Sequence, residues 1–96
     1  MNKTEYLLVC LSEECAELQK EISKALRFGL DDFNPHDSKK IPNSERIQKE
    51  IIDVETLVII LIEKTGIFRW GFPRERQDKK DKVKRYMEYS REKGYL

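Results

Sequence analysis

Apolar residues recur every third or fourth position through Leu7, Leu11, Cys15, Leu18, Ile22 and Leu26, and again through Ile47, Ile51, Val54, Val58, Leu61 and Ile62. That is the period of a helix with one buried face, and it excludes the two-residue alternation of a half-buried strand. A first helix is expected over about residues 3–28, capped by Asn2 with Glu5 three positions on and stopped by Gly29. A second is capped by Asn43 or Ser44 and ends near Gly66. Its β-branched residues would suit a strand, but the sustained helical period outweighs propensity. A third is expected over Gln77 to Lys93, with Val83, Tyr86, Met87 and Ser90 along one face. Between them, residues 29–43 and 67–76 are loop chemistry, rich in Gly, Pro, Asn and Asp.

With 96 residues the chain is one domain, residues 1–96, with no room for a second. The C-terminal half of the second helix is apolar almost all round, more than two short partners can cover. The expected fold is therefore all-α: three main helices forming a helical bundle completed by homo-oligomerisation, as a homodimer or homotetramer. Nineteen basic and eighteen acidic residues leave a net charge of +1, which argues against a nucleic-acid or membrane partner. The longest apolar run, Leu57 to Ile62, is far short of the roughly 20 residues a membrane span needs. The N-terminus lacks the layout of a secretion signal. Cys10 and Cys15 form neither a metal pair nor a disulfide framework and read as buried thiols of a cytoplasmic protein. The lone His36 reads as a solvent-exposed loop residue.

One pattern occurs twice. Leu11-Ser12-Glu13-Glu14-Cys15-Ala16-Glu17-Leu18 and Ile47-Gln48-Lys49-Glu50-Ile51-Ile52-Asp53-Val54 both read apolar-x-x-Glu-x-x-acid-apolar. Residues three apart lie on nearly the same helix face. At about 100° per residue, Glu14 flanks the first apolar stripe, Glu17 lies about 60° further round, and Glu50 and Asp53 repeat that relation on the second helix. If the helices pack face to face, the two acid pairs meet at the seam. Converging carboxylates repel and lose hydration, and a divalent cation removes the conflict. Oxygen-only ligation favours Mg²⁺, Mn²⁺ or Ca²⁺ over Zn²⁺.

Glu13-Glu14-x-x-Glu17 followed by Glu50-x-x-Asp53 resembles the E-E-x-x-E … E-x-x-D signature of the MazG-like all-α nucleoside triphosphate pyrophosphohydrolases. The surrounding LSEECAELQKEISKALRFG and NSERIQKEIIDVETLVIIL are similar to that family's first and second helices. The resemblance covers about residues 5–63. It implies a dimeric or tetrameric helical bundle and Mg²⁺-dependent hydrolysis of an NTP or dNTP to the monophosphate and pyrophosphate, with Mn²⁺ as a substitute ion. By position it implies Glu14, Glu17, Glu50 and Asp53 as metal ligands, with Glu13 orienting the attacking water or supporting a ligand. The stretch between Glu17 and Glu50 is longer than in the family's compact members, which bears on substrate choice.

A pyrophosphate leaving group needs cations. Residues 69–96 hold ten Lys or Arg against five Asp or Glu, a local +5, so residues 1–68 carry −4. Lys79, Lys82 and Arg85 share or border one face of the third helix and are candidate triphosphate contacts. Trp70 or Phe33 is a candidate to stack on a base, and Asn34 or Asn43 to read base or sugar edges. Two other readings compete: a phosphoribosyl-ATP pyrophosphatase with the same acids, and a non-catalytic helical interaction or nucleic-acid-binding module using the basic segment. Against the last, Asp78, Asp81, Glu88 and Glu92 interrupt any basic face.

Overall fold

The computed structural model describes residues 1–96 as three helices and no strand: α1 (Lys3–Phe28), α2 (Asn43–Thr65) and α3 (Pro73–Glu92). No helix is long and apolar enough to cross a membrane. The α1 boundaries follow from local chemistry. Asn2 Oδ1 accepts from the Glu5 backbone N–H at 2.8 Å and Glu5 reaches back to the Asn2 N–H at 3.3 Å, a reciprocal cap. Gly66 ends α2 in the left-handed conformation, φ 67°, which a side chain would disfavour.

The start of α2 differs from the expected side-chain cap. Pro42 is the capping residue, and neither Asn43 nor Ser44 caps with its side chain. The connection does the capping instead. Asn43 N–H donates to the Asp32 carbonyl at 2.8 Å and Ser44 N–H to the Leu30 carbonyl at 3.0 Å. The Asn43 side chain donates to the Gly29 carbonyl at 2.7 Å, so it ties the end of α1 to the start of α2. Asn43 is buried, and these bonds satisfy donors that a buried helix end would otherwise leave bare. Asp37 adds a second tie. It pairs with Arg46 and accepts from the Lys39 and Ile41 backbones. Arg46, then those backbone donors, hold its carboxyl below the usual range. The 29–42 connection is a folded element, and it fixes α1 and α2 as an antiparallel hairpin.

The packed face of α1 is rotated from the expected stripe. Leu7, Leu11, Glu14, Leu18, Glu21 and Ala25 turn towards α2, while Cys15, Ile22 and Leu26 turn outward. Leu26 is 80% exposed, and Cys15 is an exposed thiol where a buried one was expected; Cys10 is partly covered. The apolar residues of α1 span more than one face, and a two-helix hairpin covers only one. Facing them are Ile47, Glu50, Val54, Leu57 and Leu61 of α2. Only Ala25, Leu61 and Asn43 are fully buried.

The third helix begins earlier than the break at Gly71 and Pro73 suggested. Proline suits a first helical turn, where its missing N–H costs nothing. Glu75 accepts the Phe72 N–H at 2.8 Å and takes both ends of the Arg69 guanidinium at 2.8 and 3.1 Å. Arg69 also lies 4.5 Å from the centre of the Phe72 ring. Beyond this local closure α3 packs on neither α1 nor α2. The radius of gyration is 17.1 Å, against about 12 Å for a compact domain of this length. One chain is a helical hairpin with a detached helical arm.

Candidate metal centre

Glu14 sits between Leu11 and Leu18 on the face of α1 that packs against α2, so its carboxylate emerges at the seam. Glu50 and Asp53, one turn apart on α2, project to the same place. One carboxylate oxygen from each of the three lies within 4.8 Å of the other two, and all three residues are half-buried. They lie on the interhelical seam, outside the three cavities of the chain. Three half-buried carboxylates thus share one spot on the seam.

The electrostatics match the geometry. The Glu14 carboxyl is pushed above its ordinary value, first by burial, then by the charges of Asp53 and Glu50, and by a hydrogen bond with Glu50. Lys49 opposes the rise. Its ammonium lies 3.1 Å from Asp53 Oδ2, one helical turn away. That bond, and the charges of Asp53, Glu50 and Glu14, raise the Lys49 pKa. Lys49 is thus the internal counter-ion of the cluster. At 72% side-chain exposure it is held on the outside of the seam and not within it.

Of the acids expected at the site, Glu14, Glu50 and Asp53 converge. Glu17 is exposed and stands outside the group, and Glu13 is exposed beside it. Glu17 lies about 60° round α1 from Glu14, which turns it off the packed face. Lys79, Lys82 and Arg85 are exposed on α3, and none is among the charges that move Glu14. Lys82 instead lies 5.8 Å from the Tyr86 ring centre. Trp70 is 53% exposed in the 66–72 connection, and Phe33 is half-buried in the first. His36 is exposed, as expected.

Two residues gain meaning only in three dimensions. Lys49 stands four positions before Asp53, a spacing that foreshadows their pairing. Glu21 lies seven positions after Glu14, which returns to the same face two turns on; it is a carboxylate inside the packed stripe where a core residue would be expected. Compared with known proteins, the chain matches no family model, no curated protein and no solved structure.

Proposed function

We propose that the chain is a divalent-cation-dependent nucleoside triphosphate pyrophosphohydrolase, converting an NTP or dNTP to the monophosphate and pyrophosphate. The observation that carries this reading is the convergence of Glu14, Glu50 and Asp53 at the α1–α2 seam. The donor set fits the ion. Three carboxylates and no His or Cys suit Mg²⁺, with Mn²⁺ as a substitute. Glu14 is pushed up first by burial and then by the charges of Asp53 and Glu50, and a cation would relieve that crowding.

Glu14, Glu50 and Asp53 would hold the ion, which supplies neutralisation of phosphate charge and acidification of water when bound. Glu17, exposed and one turn from Glu14, would accept the proton of the attacking water, or join the ligands by turning its side chain. Glu13 would orient that water from the neighbouring position. Lys79, Lys82 and Arg85 would stabilise the departing pyrophosphate, and Trp70 would cover the nucleoside.

Those four residues lie on parts of the chain that leave the acids uncovered, so the reading includes a homodimer or homotetramer. Leu8, Ile22 and Leu26 of α1, Ile52 and Ile59 of α2, and Val83 and Met87 of α3 are each 37% exposed or more. The lone α3 lacks the tertiary packing that stabilises most protein helices, and the acidic residues 1–68 at −4 and the +5 segment 69–96 are complementary. The free thiols suit a reducing cytoplasm.

The test is pyrophosphate and monophosphate release from a panel of NTPs and dNTPs with Mg²⁺. Glu50→Gln and Asp53→Asn should each lower turnover by about 10³-fold with the helical circular dichroism unchanged. Full activity in either variant, or in excess EDTA, would remove the reading.

A further inference from the structure

A second feature of the hairpin is not used by the acids at the seam. Beneath the 29–42 connection is a cavity of about 260 Å³ whose lining is entirely polar or charged. Glu21 and Lys24 of α1, Asn34 of the connection, and Asn43 and Arg46 of α2 contribute to it. The Glu21 side chain is only 12% exposed. One carboxylate oxygen lies 3.7 Å from the Lys24 ammonium; the other is sealed from solvent and has no hydrogen-bond donor. A buried acceptor without a partner is costly and rare in folded chains. Two of the nearby donors bond elsewhere: Arg46 Nη2 to Asp37, and the Asn43 amide to the Gly29 carbonyl.

The surroundings limit what could satisfy Glu21. Lys24 and Arg46 oppose a cation, and Glu21 and Asp37 oppose an anion. What remains is an uncharged group that brings hydrogen-bond donors. Next to this cavity lies a second one of about 390 Å³, sharing Lys24, Asn34, His36 and Asn43 with it and adding the Phe28 ring, one face of which carries the Arg27 guanidinium at 5.2 Å from its centre. An aromatic face beside a polar edge is how proteins hold a heterocycle. Glu21 is also on the same face of α1 as Glu14, about 10 Å along the axis, a distance that a nucleotide spans from its α-phosphate to the far edge of its base.

We propose that this paired cavity is a nucleobase subsite selective for bases carrying an exocyclic amino group, with Glu21 accepting from that group and Phe28 stacking on the ring. The inference rests on the nucleotide-hydrolysing reading of the seam. The last torsion of a glutamate is soft, so a donor in the cavity draws the sealed oxygen round to it. A base with its amino group replaced by a carbonyl sets oxygen against carboxylate.

The experiment titrates the full chain, wild type and Glu21→Gln, with dCMP, dAMP, dGMP and dTMP in the absence of metal, following backbone amides by NMR. The same proteins are assayed with the four dNTPs and Mg²⁺. Wild type should bind the three amino-bearing nucleotides roughly tenfold more tightly than dTMP, with amide shifts at Lys24 and Asn34. Glu21→Gln should shrink that preference to about threefold or less. Should Glu21→Gln fail to fold by circular dichroism, Phe28→Ala carries the test, since loss of stacking should weaken all four about tenfold. Nucleotide binding with these effects but no triphosphate hydrolysis keeps the subsite and removes the hydrolase. Hydrolysis with the same base preference in wild type and Glu21→Gln, or with no effect of Phe28→Ala, keeps the hydrolase and overturns the subsite. Absence of nucleotide binding, or shifts confined to other parts of the chain, also overturns it.

Discussion

Glu14 and Glu75 are the same side chain pushed in opposite directions. In the hairpin, Glu14 is turned into a packed seam beside two other carboxylates, and its carboxyl rises. At the root of the arm, Glu75 is clamped by Arg69 and the Phe72 N–H, and its carboxyl falls to about 2. Both helices are rich in charge. The arm resolves its charges locally, with Arg69–Glu75 and Arg74–Asp78 pairs and no buried residue. The hairpin crowds Glu14, Glu50 and Asp53 at its seam, and the cation beside them is Lys49 on the rim. A carboxylate already satisfied by its neighbours serves structure, whereas crowded ones remain available to a ligand.

The largest expected effect tests that contrast directly. Glu50→Gln should lose about three orders of magnitude of Mg²⁺-dependent pyrophosphate release, while Glu75→Gln, which loosens the root of α3 and leaves the acids in place, should lose about tenfold or less. A steady-state pyrophosphate assay on both variants decides it. Comparable losses in the two would show that activity follows helix integrity and not the acid cluster.

Next in size is the response of the arm to an interrupted apolar face. Met87 is 47% exposed beside Val83 and Tyr86, which together line an open apolar groove with Tyr95 and Leu96. Met87→Asp should weaken self-association by about tenfold or more, read by sedimentation velocity over a micromolar concentration series. The hairpin's helicity should survive, because α3 supports neither of its helices. A wild-type chain that remains monomeric throughout the series would refute the oligomer.

How much of this was written in the sequence divides along the same line. Whatever depends on neighbours in the chain was legible: the Asn2–Glu5 cap, both ends of α1, the end of α2, and the repeated Glu-x-x-acid spacing that brought Glu14, Glu50 and Asp53 under suspicion. Whatever depends on which face is covered was not. Periodicity finds an apolar stripe but not its partner, so Cys15, Ile22 and Leu26 are expected inside and lie outside, and Glu17, expected beside Glu14, stands apart from the three acids that meet. The early start of α3 was hidden because Gly71 and Pro73 read as a break, although Pro73 fits the first turn once Glu75 closes it. Glu21 carries no signal in the sequence, because its burial depends on the connection that folds over it.

Stability should separate the two carboxylates by sign. A raised carboxyl means the folded hairpin holds its proton more tightly than the unfolded chain does, so folding weakens as pH rises through that raised value. Glu14→Gln should therefore raise the metal-free melting temperature by a few degrees at neutral pH and remove the further rise given by Mg²⁺. Glu75 works the other way. Its contribution is present above its ordinary value of 4.5 and is lost as pH falls through about 2. Acid titration of the helical circular dichroism should show wild-type α3 fraying over that window, and Glu75→Gln already frayed above it. Two variants with the same sign would mean that crowding and pairing are not the operative difference.

The smallest effect sharpens the comparison most, because it turns on the cation that the hairpin sets beside the three acids. Lys49 holds Asp53 in the metal-free chain, and a bound ion must compete with it. The pair is exposed on the lysine side, so its strength is modest, up to about 1 kcal/mol. Lys49→Gln should accordingly tighten Mg²⁺ binding by no more than roughly fivefold, measured by isothermal titration. The same substitution removes the charge that opposes the rise of Glu14, so Glu14 should titrate still higher in the variant. Protons would then compete with the ion more strongly in mild acid, and the gain in affinity should shrink as pH falls. Weaker Mg²⁺ binding in Lys49→Gln at every pH would show that the lysine orders Asp53 for the ion and does not stand in its place.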